Sequence, residues 1–370
     1  MKYYIIAGEA SGDLHASNLM TALQKLDSQA QFRCWGGDLM KAAGGEIVKH
    51  YRDLAFMGFA EVVLHIRTIL GNLSFCKKDI LQFKPDAIIL VDYPGFNLRI
   101  AEFAHKEEFR VIYYISPQVW AWKKSRARKI REFVDKMFVI LPFEAEFYRK
   151  YDYEVEFVGH PLLDVIQRPS GYIDREDFIR KKNLTGKPIL AILPGSRKQE
   201  ISRMLPVMAS LMARQPDYEF LIAGAPSIEP EYYYKMLGVD PPVILHDQTH
   251  EILNYAHAAL VTSGTATLET ALHRIPQVVC YKGGTISYQI ARQLVDIKYI
   301  SLVNLIMDRQ VVKELIQYDF NADNLNHELE MILNDNWRKV ILSEYEELVA
   351  RLGGEGASAR AAKGIFDFMK

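Results

Sequence analysis

Short apolar runs rich in β-branched and aromatic residues recur along the first half of the chain, and each is followed by a stretch of helical periodicity. The runs are YYIIA at 3–7, DAIILV at 86–91, RVIYYI at 110–115, KMFVIL at 136–141 and VEFVG at 155–159. Parallel strands need crossover helices, so this alternation predicts a parallel sheet.

A second series of the same kind begins after a strandless interval. Its runs are PILAIL at 188–193, EFLIAG at 219–224, PVIL at 242–245, AALVT at 258–262 and QVVCYK at 277–282, with no sixth clear strand. The interval contains two prolines and two glycines and is typical of a linker with one short helix, which puts the domain join near 160–185. We therefore predict domains at 1–165 and 166–334, followed by a polar helical segment at 335–370.

The composition narrows the classes of function. The 45 Lys and Arg against 46 Asp and Glu leave no overall field that would attract nucleic acid. Cys34, Cys76 and Cys280 form no CxxC pair, which argues for a reducing compartment. The apolar start at 3–7 is shorter than the roughly 7 to 15 residues of a signal peptide core, and no stretch approaches a membrane span. We expect a cytoplasmic protein that can meet a membrane from one side.

The turn LPGSR at 193–197 follows the first strand of the second series. Ser196 can cap the next helix, and Arg197 places a fork of donors where a helix N-terminus already favours anions. A phosphate fits this turn. The structural alternative is an ordinary strand-to-helix turn with an exposed arginine.

The turn SGTATLE at 263–269 supplies a stronger phosphate signal. Ser263, Gly264 and Thr265 offer backbone N–H groups and hydroxyls at the start of a helix, which suits a pyrophosphate. Glu269, in the first turns of that helix, can accept the two hydroxyls of a ribose. The alternative is that the Ser and Thr side chains cap the helix and that Glu269 complements its dipole.

Two carboxylates, Glu9 and Asp13, occupy the turn AGEASGD at 7–13 after the first strand. They would repel an anion at the helix N-terminus, so this turn is suited to hydroxyls rather than phosphate. No GxGxxG follows the first strand and no GxxxxGK[ST] occurs, so the nucleotide site is assigned to the second domain.

Asp92 comes immediately after the strand at 86–91, where parallel sheets expose their ligand crevices. A partly desolvated carboxylate at that point could take a proton from an attacking hydroxyl. A strand-end aspartate that caps its helix is the structural alternative. The rival bases are His15, His65, His160 and His246.

Two segments of the first domain suggest contact with lipid. The apolar segment 54–75 contains Arg67 and precedes two lysines, which is typical of an interfacial helix, or else of a buried helix with snorkelling cations. The segment 119–131 joins two tryptophans to a dense run of Lys and Arg, which suits anionic head groups or a phosphorylated substrate. The alternative for the second segment is a solvated face with core tryptophans.

Six motifs resemble, in order and position, those of the lipid-A-disaccharide synthases. They are AGEASGD, DYPGFN, SPQVWAW, LPGSR, SGTATLE and SLVNL, and the resemblance runs from residue 3 into the 300s. It implies an α/β fold of two Rossmann-like doubly wound domains that face a central cleft, the B architecture of glycosyltransferases. The C-terminal helices would pack back on the N-terminal domain.

The resemblance also implies a reaction and its partners. A 2,3-diacylglucosamine would pass from UDP to 2,3-diacylglucosamine 1-phosphate, giving a β-1,6 disaccharide and UDP at the anionic cytoplasmic face of the inner membrane. No cofactor and no nucleic acid are implied, and a homodimer is left open.

The family's functional positions carry over residue by residue. Glu9, Ser11 and Asp92 match the acceptor side, with Asp92 as the base. One departure is Gly95, where many relatives have a second acidic residue. The positions that match the UDP side are Arg197, Ser263, Gly264, Thr265, Glu269 and Asn304.

The implied α-linked donor and β-linked product require inversion, which needs one base and no nucleophilic residue. No DxD-like pair or His/Asp cluster occurs, so we predict a metal-independent reaction. The alternatives are another UDP-sugar enzyme of this architecture, either an epimerase or the peptidoglycan glycosyltransferase, and a non-enzymatic two-lobed sugar-binding protein.

Overall fold

The computed structural model describes residues 1–54, 66–120, 126–166, 174–238, 242–284 and 298–370. The chain forms two compact units. The first contains Met1–Asp164 and Leu352–Lys370, and the second contains Val165–Arg351. Each is an α/β unit built on one parallel sheet, as the strand and helix alternation predicts.

The sheet of the first unit has seven strands in the order β3-β2-β1-β4-β5-β6-β7. Two of them, β2 and β3, escape the sequence pattern. The reason is physical: β2 carries Gln31 and Arg33, and β3 is a half-buried edge strand in which Glu46, Lys49 and His50 meet solvent. The strands are β1 Lys2–Ala7, β2 Gln31–Gly36, β3 Glu46–His50, β4 Ala87–Val91, β5 Arg110–Tyr114, β6 Lys136–Val139 and β7 Glu156–Phe157.

Helices connect these strands in the first unit. They are α1 Ala10–Leu26, α2 Asp38–Ala42, α3 Ile66–Phe83, α4 Pro94–Lys106, α5 Arg126–Phe133, α6 Glu144–Arg149 and α7 Leu162–Val165, with a 3-10 turn at Tyr51–Leu54. In the part of the chain that the structure describes, no helix is both long enough and apolar enough to cross a bilayer.

The sheet of the second unit has six strands in the order β10-β9-β8-β11-β12-β13. The expectation of no sixth strand is wrong. The missed strand, Lys313–Ile316, is a short edge strand in which only Leu315 is buried and two of the four residues are charged, so it lacks an apolar run. The strands are β8 Ile189–Leu193, β9 Glu219–Gly224, β10 Val243–His246, β11 Ala256–Thr262, β12 Gln277–Tyr281 and β13 Lys313–Ile316.

The predicted linker at 160–185 contains, in its described residues, two short helices, α7 and α8, where the sequence predicts one. Helix α8 is the first helix of the second unit. The helices are α8 Arg175–Lys182, α9 Lys198–Ala209, α10 Pro230–Leu237, α11 Thr249–Tyr255, α12 Thr265–Leu272, α13 Leu302–Met307, α14 Ala322–Leu333 and α15 Asp335–Arg351, with a 3-10 turn at Ser210–Ala213.

The central strands are apolar on both faces, because helices cover both sides of a doubly wound sheet. All five residues of β4 and of β8 are buried, as are five of the six residues of β1. This burial fixes the strands rigidly and leaves the turns at their carboxyl ends to carry polar side chains.

The C-terminal segment 335–370 is divided between the units. Helix α15 lies in the second unit, where Tyr345 contacts Gln277 through its hydroxyl at 3.3 Å. Only the last helix, α16 Ala357–Met369, packs back on the first unit, against α1. Asp164 caps it by accepting from the N–H groups of Gly356 at 2.6 Å and Ser358 at 2.9 Å.

Candidate active site

The predicted site residues follow the strands at the point where each sheet reverses its strand order. In the first unit β1 and β4 are neighbours, and Glu9 and Asp92 follow them. In the second unit β8 and β11 are neighbours, and Arg197 and Ser263 follow them. Ligands of doubly wound sheets bind at these switch points, so the topology places each set of residues where a ligand is expected.

The turn that carries Asp92 is held in an unusual backbone conformation. Asp92 and Tyr93 both have left-handed φ angles, 43° and 48°, which cost roughly 1 to 3 kcal/mol each in non-glycine residues. The Asp92 carbonyl accepts hydrogen bonds from the Tyr113 hydroxyl at 2.5 Å and from Asn97 Nδ2 at 2.8 Å. Pro94 then begins α4 with a φ already suited to a helix.

The two turns of the first unit contact each other directly. A Cβ atom at Gly8 would overlap the ring of Tyr93, so only glycine allows the AGEASGD turn to approach the turn that carries Asp92. The Tyr93 ring also stacks on Phe96 at 5.6 Å between centroids. The sequence predicts a functional role for each turn separately, and this contact shows that the two turns lie side by side.

Asp92 has the properties of a base that works near neutral pH. Burial, followed by the negative charge of Glu9, raises the pKa of its carboxyl to about 7, against a lowering by the Tyr93 N–H group. A general base is most effective when its pKa lies near the working pH. The structure therefore places Glu9 close enough to Asp92 for its charge to raise the pKa of the Asp92 carboxyl.

The carboxylates of the opening turn have different surroundings. Glu9 is the N-cap residue of α1 but makes no side-chain capping bond, and Ser11 is exposed in the first turn. Asp13 is buried and accepts from the N–H groups of Gly37 at 2.7 Å, Leu39 at 3.1 Å and Met40 at 3.1 Å. Asp13 therefore caps α2, while Glu9 and Ser11 remain available to a ligand.

Two of the rival bases are unsuited to the task. Burial lowers the pKa of His15 to about 4 and that of His160 to about 3, so both imidazoles are weak bases. His246 packs against Gly224, and a Cβ there would overlap its ring. His65 lies outside the described residues.

The motif that begins at Ser116 follows the end of β5. The Ser116 hydroxyl contacts the Tyr148 hydroxyl at 2.6 Å and donates to the Pro117 carbonyl at 3.0 Å. A second buried acid, Glu144, accepts from the Ile140 and Leu141 N–H groups, and burial raises its pKa to about 8. Sequence reasoning missed Glu144, which no motif marks.

In the second unit, the turn after β11 presents backbone groups at the start of a helix. Gly264 is the N-cap of α12 and has no side chain to fill the first-turn N–H positions. Gly264 and Thr265 are exposed, while the Ser263 hydroxyl donates to the Ile300 carbonyl at 2.8 Å. The N–H groups, rather than the Ser263 hydroxyl, are therefore the donors available to a pyrophosphate.

Arg197 presents its guanidinium to solvent beside the N-terminus of α9. Its side chain is 65% exposed and lies 3.3 Å from Glu200, whose carboxylate also accepts from the Ser196 N–H at 3.2 Å. The Glu200 carboxylate, in the first turn of α9, thus accepts a hydrogen bond from a backbone N–H group just before the helix, much as in a capping box. Arg197 keeps most of its five donors free for an anion.

Glu269 contacts a histidine that sequence reasoning missed. Its Oε1 lies 3.3 Å from Nε2 of His250 on α11, whose Nδ1 lies 3.0 Å from Nε2 of His273. Burial raises the pKa of Glu269, and the nearby His250 lowers it in part. Glu269 and His273 are four residues apart at the end of α12, but no spacing in the sequence relates His250 to either of them, because that contact depends on how α11 packs beside α12.

The side chain of Asn304 is fully engaged within the protein. Its Nδ2 donates to the Val312 carbonyl at 2.8 Å and to Glu314 at 2.9 Å. Its Oδ1 accepts from the N–H groups of Val311 at 2.7 Å and Val312 at 3.0 Å. An amide has two donors and two acceptor sites, so these contacts secure the turn before β13 and leave none for UDP.

The predicted lipid-contacting segments lie partly outside the described residues, at 55–65 and 121–125. Within α3, Leu70 is 53% exposed and Phe75 is 47% exposed, close to Lys77 and Lys78 in sequence. This part of the helix therefore presents both apolar and cationic side chains.

Comparison with known proteins identifies the family. Residues 3–364 match the family model described as lipid-A-disaccharide synthetase. The lipid-A-disaccharide synthase of Syntrophus aciditrophicus is 42% identical over 97% of this chain and 95% of that protein. That of Acidobacterium capsulatum is 38% identical over 97% of this chain and 93% of that protein.

The fold has solved neighbours at low identity. The UDP-GlcNAc 2-epimerase from Neisseria meningitidis, solved with UDP-GlcNAc bound, gives a TM-score of 0.65 at 12% identity and covers 99% of both chains. At this identity the likeness shows the two-domain architecture alone. The sequence relatives decide the family, and the chain belongs to the lipid-A-disaccharide synthetases.

Proposed function

We propose that this protein is an inverting glycosyltransferase of lipid A biosynthesis. It transfers 2,3-diacylglucosamine from UDP to the 6-hydroxyl of 2,3-diacylglucosamine 1-phosphate and releases UDP. Membership of the lipid-A-disaccharide synthetase family carries the proposal, and the Asp92 carboxyl supports it as a base with a pKa of about 7 at a switch point.

The first unit supplies the base and the acceptor contacts. The Asp92 carboxylate takes the proton from the acceptor hydroxyl as its oxygen attacks the anomeric carbon of the donor. Glu9 and Ser11 bind acceptor hydroxyls, because neither side chain is used in capping α1. Displacement in one step inverts the anomeric carbon, as an α-linked donor and β-linked product require.

The second unit stabilises the leaving diphosphate. Negative charge grows on UDP as the sugar departs, and the exposed Arg197 guanidinium can donate to it. The N–H groups at the start of α12, beside Gly264 and Thr265, favour the same charge. Glu269 accepts the ribose hydroxyls from its place further along that helix.

The acylated substrates place the protein at the cytoplasmic face of the inner membrane. The exposed Leu70 and Phe75 side chains would enter the interfacial region, while Lys77 and Lys78 would attract anionic head groups. Vesicle flotation tests this: binding should need anionic lipid and should weaken for the doubly substituted Leu70→Ser, Phe75→Ser variant. Equal recovery with neutral vesicles would contradict the electrostatic part.

A direct assay tests the activity. The purified protein is incubated with UDP-2,3-diacylglucosamine and 2,3-diacylglucosamine 1-phosphate, and the products are followed by mass spectrometry. We expect the disaccharide 1-phosphate and UDP in equal amounts, and neither without acceptor. Conversion of UDP-N-acetylglucosamine alone would instead indicate an epimerase, and that outcome would overturn the proposal.

A further inference from the structure

His250 lies at the first turn of α11, opposite the carboxylate of Glu269 on α12. Its Nε2 is 3.3 Å from Glu269 Oε1, and its Nδ1 is 3.0 Å from Nε2 of His273, which follows α12. The two imidazole rings have their centroids 5.3 Å apart. Three side chains from two helices thus form a continuous row of polar contacts that ends at Glu269.

We propose that His250, supported by His273, is a positioning residue that orients the Glu269 carboxylate for the ribose of the nucleotide. The inference rests on the proposed function, in which Glu269 accepts the ribose hydroxyls. It adds a specificity determinant for the sugar of the nucleoside, carried by a residue that no sequence motif includes.

The hydrogen-bond arrangement works in either protonation state of His250. Since Nε2 faces a carboxylate, its proton lies there. With Nδ1 unprotonated, its lone pair accepts from the Nε2–H of His273. With Nδ1 protonated, it donates to the Nε2 lone pair of His273. Burial and the nearby His250 lower the pKa of His273 to about 4, so His273 is neutral near pH 7 and can fill either role.

Burial explains why Glu269 needs a partner. Its side chain is only 18% exposed, whereas that of His250 is 44% exposed. A charged carboxylate removed from water is stabilised by a polar group or positive charge held close to it. His250 occupies one oxygen, Oε1, which directs the remaining lone pairs of the carboxylate away from α11. A vicinal diol needs two acceptor positions held in a fixed direction, and this contact supplies that restraint.

The test compares the binding of two nucleotides by calorimetry, UDP and 2′,3′-dideoxy-UDP. His250→Leu should weaken UDP about 3- to 10-fold, the effect of one modest polar interaction, and should leave dideoxy-UDP unchanged. His250→Gln keeps a donor near the position of Nε2 and should restore most of the difference. His327→Leu, at an exposed histidine of the same unit, is the matched control.

Steady-state kinetics give a second readout. His250→Leu should raise KM for the UDP-sugar and leave kcat near the wild-type value, because the ribose contact is made in both ground and transition states. The inference is overturned if His250→Leu weakens both nucleotides equally, since a general disturbance of the site would do that, or if it weakens neither.

Glu269→Gln separates failure of this inference from failure of the proposed function. If Glu269→Gln weakens UDP but His250→Leu does not, the positioning role is wrong and the ribose contact stands. If Glu269→Gln leaves UDP binding unchanged, the ribose contact under the proposed function is wrong, and the role of His250 falls with it.

Discussion

Aspartates that sit in similar sequence contexts have different roles in this protein. Asp92 follows a buried strand and has a pKa raised to about 7, whereas Asp13 accepts three backbone N–H bonds. The difference is one of surroundings. Asp13 meets the start of α2, while Asp92 lies at the switch point of the same sheet, within reach of the charge of Glu9.

Replacement of Asp92 tests the base. Asp92→Asn keeps the shape of the side chain and removes its proton-accepting charge, so we expect kcat to fall by roughly 10²- to 10⁴-fold. KM for the UDP-sugar should change little, because the proposed donor contacts lie in the second unit. Initial rates over a range of UDP-sugar concentrations measure both constants, and a near-normal kcat would remove Asp92 from the mechanism.

The pH profile of the wild-type enzyme tests the same group. Only the deprotonated carboxylate accepts a proton, so the rate should fall as pH drops below about 7, approaching tenfold per unit. The charge of Glu9 contributes to the high pKa, so Glu9→Gln should move this acid limb to lower pH. It should also raise the acceptor KM without affecting UDP binding.

A control for the Glu9 experiment is Glu107→Gln, which neutralises an exposed acid of the same unit. Its pH profile should match the wild type. If Glu9→Gln leaves the limb in place, the two carboxylates do not interact in the way the structure indicates.

The sequence marks some of the candidate site residues and not others. Asp92, Glu9 and Arg197 are marked by strand ends and short motifs, which depend on local order along the chain. Asn304 also lies in a motif, but its side-chain amide makes hydrogen bonds with Val311, Val312 and Glu314. These contacts depend on the tertiary structure and cannot be inferred from the motif. His250 is marked by nothing local, since its partner lies 19 positions away on another helix.

At the level of elements, the apolar central strands were predictable and the polar edge strands were not. All residues of β4 and β8 are buried, so hydrophobic runs mark them. Strands β3 and β13 lie at sheet edges, where one side meets solvent and charged residues such as Lys49 and Lys313 are tolerated. Periodicity reports burial, and it fails where a strand is half buried, as in β3 and β13, or where polar residues interrupt a mostly buried strand, as in β2.

The cap on α2 gives a prediction at this scale. Asp13→Ala would leave the N–H groups of Gly37, Leu39 and Met40 without their acceptor, and two of these bonds are buried. We expect the free energy of unfolding to fall by about 1 to 3 kcal/mol, measured by urea denaturation. Asp38→Ala, at an exposed position of the same helix, should cost less than about 1 kcal/mol. Equal losses would contradict the capping role.

At the scale of the whole molecule, each unit has a doubly wound sheet with candidate residues at its switch point, and the proposed mechanism divides its steps between the two units. In that proposal the second unit offers Arg197 and the start of α12 to the diphosphate, a task that a divalent cation performs in many sugar-nucleotide enzymes. Whether the complete enzyme needs a metal ion can therefore be tested by measuring its turnover before and after chelation.

Treatment with EDTA should leave turnover unchanged, because in the proposed mechanism guanidinium and amide donors stabilise the leaving group. The assay is disaccharide formation before and after chelation, followed by addition of Mg²⁺. A large loss that Mg²⁺ restores would show that a cation takes part. Arg197→Ala, by contrast, should lower the rate in either condition.

The placement of α16 has a consequence for how the protein is made. The second unit consists of the contiguous residues 165–351, whereas the first unit cannot be complete until residues 352–370 have also been synthesised. A tag or deletion at the far C-terminal end would disturb the unit that carries the base, although that unit begins at residue 1.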